Sequence, residues 1–143
     1  MSQPLALTEM GHFIDYAEAR RLLDNYELKK HELINPSLLR EQKEYGILPD
    51  CEAFNADGIK AILEQKDCVG IRIHYGLKDE DEKGNKVPLI VAVLVGVAPD
   101  GKDLWGQTES APKVSARSYP LAAPDPGGVI LEDSQRSPPY PKP

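Results

Sequence analysis

The chain has 143 residues, which is enough for one domain of ordinary size. Seventeen Lys and Arg residues against 23 Asp and Glu residues give a formal net charge of −6. Such an acidic chain lacks the basic footprint of a nucleic-acid-binding protein and is not attracted to anionic membrane surfaces, so we expect neither partner.

The N-terminal part of the chain has the spacing of two helices. Apolar residues recur at helical intervals from Asp15 to Ile34, and Pro36 ends that stretch. A shorter helix is predicted from Ser37 to Tyr45, followed by Gly46 as its stop. The apolar positions of the first helix are Ala19, Leu22, Leu23, Tyr26 and Leu33.

The middle of the chain predicts a strand, a helix and two further strands. A short strand at Glu52–Phe54 precedes a helix at Ala56–Lys66, for which Asn55 is the predicted N-cap. The strand Val69–Leu77 alternates apolar and polar residues, whereas Val87–Ala98 is apolar on both faces, as in a central strand. Asp103–Trp105, after a turn at Pro99–Gly101, is a candidate third strand of the sheet.

These elements predict an α+β fold: N-terminal helices, then strand–helix–strand–strand, with a small and mainly antiparallel sheet. The first alternating strand is expected to turn its apolar face to the core, against the helices. The predicted core strand residues are Ile71, Ile73, Tyr75, Val91, Val93 and Val95.

Proline marks a change in composition near the C-terminus. Eight of the 13 prolines lie at or beyond Pro112. We therefore predict a single α+β domain over residues 1–106 and a Pro-rich tail, mostly extended or disordered, over residues 107–143. Val129–Leu131 is the one tail segment apolar enough to dock back on the domain.

Arg72 and His74 are the candidate ligand-binding residues. They lie two residues apart on one strand, so their side chains are neighbours on one face. If the hairpin closes symmetrically around Glu82, Arg72 lies opposite Ala92, and the small residues Gly70 and Ala92 beside this cation could leave room for an anion or for a carboxylate of a partner. The alternative is that the two side chains lie on the wetter face or pair with a Glu or Asp of a helix.

The tail carries a candidate partner-binding motif. Pro138, Pro139, Tyr140 and Pro141 have the PxxP spacing of a polyproline II ligand. The same spacing also occurs by chance in Pro-rich ends, so an inert tail is the alternative.

No catalytic or metal-binding motif occurs in the sequence. The three histidines are scattered, and two cysteines are too few for a disulfide framework or a zinc site, so no cofactor or metal is expected. Cys51 and Cys68 are expected to be reduced thiols of a cytoplasmic protein. A redox role for Cys68 would require an exposed thiolate of low pKa.

Several segments resemble a group of small uncharacterised bacterial proteins. The shared features are the helix after Phe54, the Cys-x-Gly-Ile-Arg strand that begins at Cys68, the Val-Gly-Val strand ending at Val97 and the Pro-rich C-terminus. The resemblance implies a bacterial, cytoplasmic protein and supports the predicted strands, but it implies no activity.

Two functions follow as hypotheses. The first is a small, non-enzymatic interaction module that binds a partner protein or a second copy of itself through the sheet edge, the first helix or the Pro-rich tail. The second is a domain that binds a small ligand or anion through Arg72 and His74, with or without catalysis.

Overall fold

The computed structural model describes residues 5–106 and 128–139. It confirms the α+β class, with one three-stranded sheet of order β2-β3-β4 and one two-stranded sheet formed by β1 and β5. Single turns of 3₁₀ helix lie at Leu7–Glu9, Lys30–Leu33 and Pro36–Leu38. The helices and strands are α1 (Tyr16–Lys29), α2 (Leu39–Tyr45), α3 (Ala56–Leu63), β1 (Cys51–Ala53), β2 (Gly70–Glu80), β3 (Lys86–Val97), β4 (Ile130–Leu131) and β5 (Gln135–Ser137).

Local capping residues set the limits of the helices. The Asn55 side chain accepts a hydrogen bond from the Gly58 amide at 2.8 Å, as expected for the N-cap of α3. Helix α2 ends at Gly46, whose φ of +65° is a left-handed conformation that glycine adopts without a steric penalty. Within the described residues, no helix is both long and apolar enough to cross a bilayer.

The described residues belong to two compact units, each assembled from separated stretches of chain. One unit contains residues 5–10, 53–76, 92–106 and 128–135. The other contains residues 11–52, 77–91 and 136–139. We name them the α3 unit and the α1 unit after the helices that they contain. The sequence had suggested one domain over residues 1–106.

Each unit has its own apolar core. In the α3 unit, Ile62 of α3 packs with Ala92 and Leu94 of β3 and with Val129. In the α1 unit, the buried residues are Ile47, Val87, Leu89 and Val91. Different parts of β3 supply buried side chains to the two cores. Leu94 and Val95, which point to opposite faces of β3, are both buried, in line with the prediction of an apolar strand covered on both sides.

The face of β2 that was predicted to enter the core is largely exposed. Val91 and Val95 of β3 are buried as predicted, but Ile73 is 52% exposed and Tyr75 is 74% exposed. The prediction for these two β2 residues is wrong because apolar alternation shows which residues share a face and not whether that face is covered. Ile71 alone of the predicted β2 set packs against the core of the α3 unit.

Residues 128–139 are part of the folded chain, although the sequence placed them in a mostly extended tail. Val129 is buried, and its amide donates to the Gln65 side chain at 2.9 Å. Strand β4 then pairs antiparallel with β3, with Leu94 opposite Leu131. The predicted return of Val129–Leu131 thus agrees with the structure, whereas the pairing of β5 with β1 was not foreseen.

Arg136 of β5 forms an extensive set of hydrogen bonds within the α1 unit. Its guanidinium is buried and donates hydrogen bonds to main-chain carbonyl oxygens at 2.6–3.4 Å. Burial lowers the pKa of Arg136 from its usual range. The five carbonyl groups belong to Tyr45, Gly46, Ile47, Ile90 and Pro138.

We expect Arg136→Ala to lower the free energy of unfolding by about 3 kcal/mol, because several buried carbonyl groups lose their donor. Arg136→Lys should recover only part of this loss, since an ammonium cannot reach the same fork of acceptors. Urea denaturation followed by circular dichroism measures both variants. Arg21→Ala is the control, because Arg21 forms an exposed pair with Glu18; equal losses for Arg21→Ala and Arg136→Ala would contradict the assignment.

Candidate functional site

Arg72 and His74 of β2 both bind the side chain of Asp103. The Arg72 Nη1 atom donates to Asp103 Oδ1 and, at 3.1 Å, to the carbonyl oxygen of Gly101. The His74 Nε2 atom lies 2.8 Å from Asp103 Oδ2. The two residues are therefore neighbours, as predicted, and each is engaged with one oxygen of the same carboxylate.

A tight turn after β3 brings Asp103 to this position. The Gly101 amide donates to Ala98 O at 2.9 Å, and Gly101 has a φ of +87°. The Ala98 amide in turn donates to Lys102 O at 2.9 Å, and Asp103 forms an antiparallel bridge with Val97. The predicted turn is thus present, but only this isolated bridge forms where a third strand was expected. The Asp103 side chain is only 10% exposed.

The Trp105 ring packs against the imidazole of His74. Its ring centroid lies 5.3 Å from that of His74, with the two ring planes inclined by 33°. The contact limits the orientations available to the imidazole, whose Nε2 atom faces Asp103. We call Arg72, His74, Asp103 and Trp105 the Asp103 cluster.

In the Asp103 cluster, the Asp103 carboxylate occupies the position at which an anionic ligand would contact Arg72 and His74. An incoming phosphate or carboxylate would need to displace Asp103, which contacts both cationic side chains. Ligand binding through Arg72 and His74 therefore remains a prediction. The sequence did not identify Asp103 as the partner, because it lies 29 residues from His74 and only the Pro99–Gly101 turn signals a reversal of the chain.

The candidate partner-binding motif is only partly within the described residues. Tyr140 and Pro141 lie outside them. Pro138 packs against Gly46: a Cβ atom at Gly46 would lie 2.4 Å from Pro138 Cδ. Pro139 is exposed. The first proline of the motif is thus already engaged within the α1 unit.

Both cysteines are free thiols. Cys51 is exposed, and Cys68 is half-buried with its Sγ atom 3.2 Å from the carbonyl oxygen of Gly70. In residues 5–106 and 128–139, no three His, Cys, Asp or Glu side chains come together as a potential metal site.

Two surfaces carry more apolar area than the sequence analysis predicted. One is the strand face formed by Ile73 and Tyr75 on β2. The other is α1, which has no buried residue although its apolar stripe was expected to enter the core. Tyr26 of α1 is attached by its hydroxyl group, which donates to Pro49 O at 2.7 Å, but Leu22 and Leu23 stay about half exposed.

No protein-family model, curated protein or solved structure matches the chain.

We expect inorganic phosphate to leave the NMR signals of Arg72 and His74 unchanged in the native chain, because Asp103 occupies the cationic site. Asp103→Ala should make these signals shift and saturate at millimolar phosphate, since the two side chains then lose their carboxylate. Asp79→Ala is the matched control, since it removes the same charge from an exposed position of β2. Equal phosphate binding by the native chain and by Asp103→Ala would show that Asp103 does not fill the site.

Proposed function

We propose that the chain is a non-enzymatic protein-interaction module that binds an extended segment of a partner protein along the outer edge of β2. The observation that carries the proposal is the exposure of Ile73 and Tyr75 on this strand. In the described part of the chain, β2 has a neighbouring strand, β3, on one side only.

Strand addition would use the exposed apolar side chains of β2 and the side of β2 that has no neighbouring strand among the described residues. An added strand would hydrogen-bond to main-chain groups along the edge, and its apolar side chains at alternate positions would cover Ile73 and Tyr75. Burying a large apolar side chain fully contributes about 1.5–3 kcal/mol, so two such residues make a substantial contribution to binding. The expected partner segment is therefore extended and apolar at every second residue.

The charges of β2 support the same proposal. Proteins usually protect an open strand edge with charged side chains, prolines or bulges. The cationic side chains in the segment from Gly70 to Gly76 are Arg72 and, when protonated, His74. Asp103 binds both of them, so it reduces the charge that would repel an added strand.

We expect this binding to take place in the bacterial cytoplasm and to involve no nucleic acid. Free thiols at Cys51 and Cys68 are typical of reducing compartments. The net charge of −6 disfavours contact with a phosphate backbone. The sequence resemblance to small bacterial proteins supports the bacterial setting.

The test compares proteins that are retained from a bacterial lysate by the native chain and by the double variant Ile73→Thr/Tyr75→Thr. Threonine keeps the strand propensity and removes most of the apolar area. We expect the double variant to retain the partner at least about tenfold less well. Ile130→Thr is the matched control, because Ile130 is 44% exposed on β4 of the same sheet.

The purified partner must also slow amide hydrogen exchange in β2 for the proposal to hold. A partner that all three baits retain equally, or one that leaves exchange in β2 unchanged, would contradict strand addition.

A further inference from the structure

We infer that the strand added to the outer edge of β2 is β2 of a second copy. The two β2 strands are antiparallel and are related by a twofold axis at His74. The inference rests on the proposed function and identifies the partner of the same surface. The possible alignments of two β2 strands differ in the side chains that they bring together.

A twofold axis relates a strand to itself, so each alignment of two β2 strands is defined by the residue that faces its own copy. With His74 at the axis, Ile73 faces Tyr75 of the second copy and Tyr75 faces Ile73. The four side chains then form one apolar patch that continues across both copies. Aromatic and β-branched residues in directly opposite positions are favourable cross-strand pairs.

The polar face of β2 also suits this alignment. Arg72 would face Gly76 of the second copy, so its guanidinium could remain on Asp103 without meeting another charge. Gly76 lies within β2 and is not among the glycines with positive φ, so the strand is regular enough to pair at this point.

The neighbouring alignments are less favourable. An axis at Ile73 would place Arg72 opposite His74, and an axis at Tyr75 would place Arg72 opposite Lys78. Like charges in directly opposite positions destabilise a pair of strands. An axis at Gly76 would place Ile73 opposite the carboxylate of Asp79, which would have to lose water without gaining a partner. The alignment at His74 avoids all three conflicts. It places the two His74 side chains opposite each other, and each imidazole lies 2.8 Å from an Asp103 carboxylate oxygen.

The first measurement is sedimentation equilibrium of the full chain over a range of concentrations. We expect a reversible monomer–dimer equilibrium that Ile73→Thr/Tyr75→Thr abolishes and Ile130→Thr preserves. Hydrogen exchange in β2 should slow as the dimer forms.

Charge variants at Gly76 test the alignment itself. Gly76→Glu places a carboxylate opposite Arg72 of the second copy at two symmetric positions, so the dimer should become about two- to thirtyfold tighter. Gly76→Lys should weaken the dimer by a similar factor. A variant that acted only by disturbing β2 would not change the sign of its effect with the sign of its charge.

The outcomes separate this inference from the proposed function. If the chain is monomeric but a different protein binds and depends on Ile73 and Tyr75, self-pairing is wrong and the interaction module remains. A dimer that is insensitive to both Gly76 variants uses another alignment or surface and overturns the inference. A monomer in which the β2 amides that point away from β3 are already protected would show that the chain covers this edge itself, which overturns both proposals.

Discussion

Burial of the Arg136 guanidinium is the constraint on which the α1 unit depends. A buried cation is stable only where hydrogen-bond acceptors replace its water, and here main-chain carbonyl groups are the acceptors. The acceptors lie 46 to 91 residues before Arg136, apart from Pro138 just after it. The end of α2, one part of β3 and the C-terminal segment must therefore be in place together. Gly46 permits this because its missing side chain leaves room for Pro138.

The returning segment supplies the third strand of the sheet that contains β2. In the α3 unit, the Val129 amide donates a hydrogen bond to the Gln65 side chain. The preceding residue, Gly128, has a φ of +96°, and a Cβ atom at this position would lie 2.8 Å from Leu104 O. A non-glycine residue would be strained there. The following residues pair as β4 with β3, so β3 has a strand on each side, and β2 and β4 are the edges of this sheet within the described residues. Of these two edge strands β2 is the longer, and it is the one that the proposed function uses.

Local signals in the sequence predicted much of the fold. The Asn55 cap, the left-handed Gly46 and the paired strands β2 and β3 each depend on a few adjacent residues. The sequence could not predict features that depend on distant contacts. The carbonyl acceptors of Arg136 and the pairing of Asp103 with Arg72 leave no periodic pattern, and alternation in β2 cannot show which of its faces is covered.

The ligand-binding and interaction hypotheses are connected through Asp103. The carboxylate lies where an anionic ligand of Arg72 and His74 would bind, and it also reduces the charge of an edge strand that is otherwise suited to pairing. A change that frees the two side chains for an anion would therefore make the β2 edge more cationic and less favourable for an added strand. The two hypotheses thus assign opposite roles to the same carboxylate, and Asp103 in contact with both side chains is consistent with the proposed protein interaction.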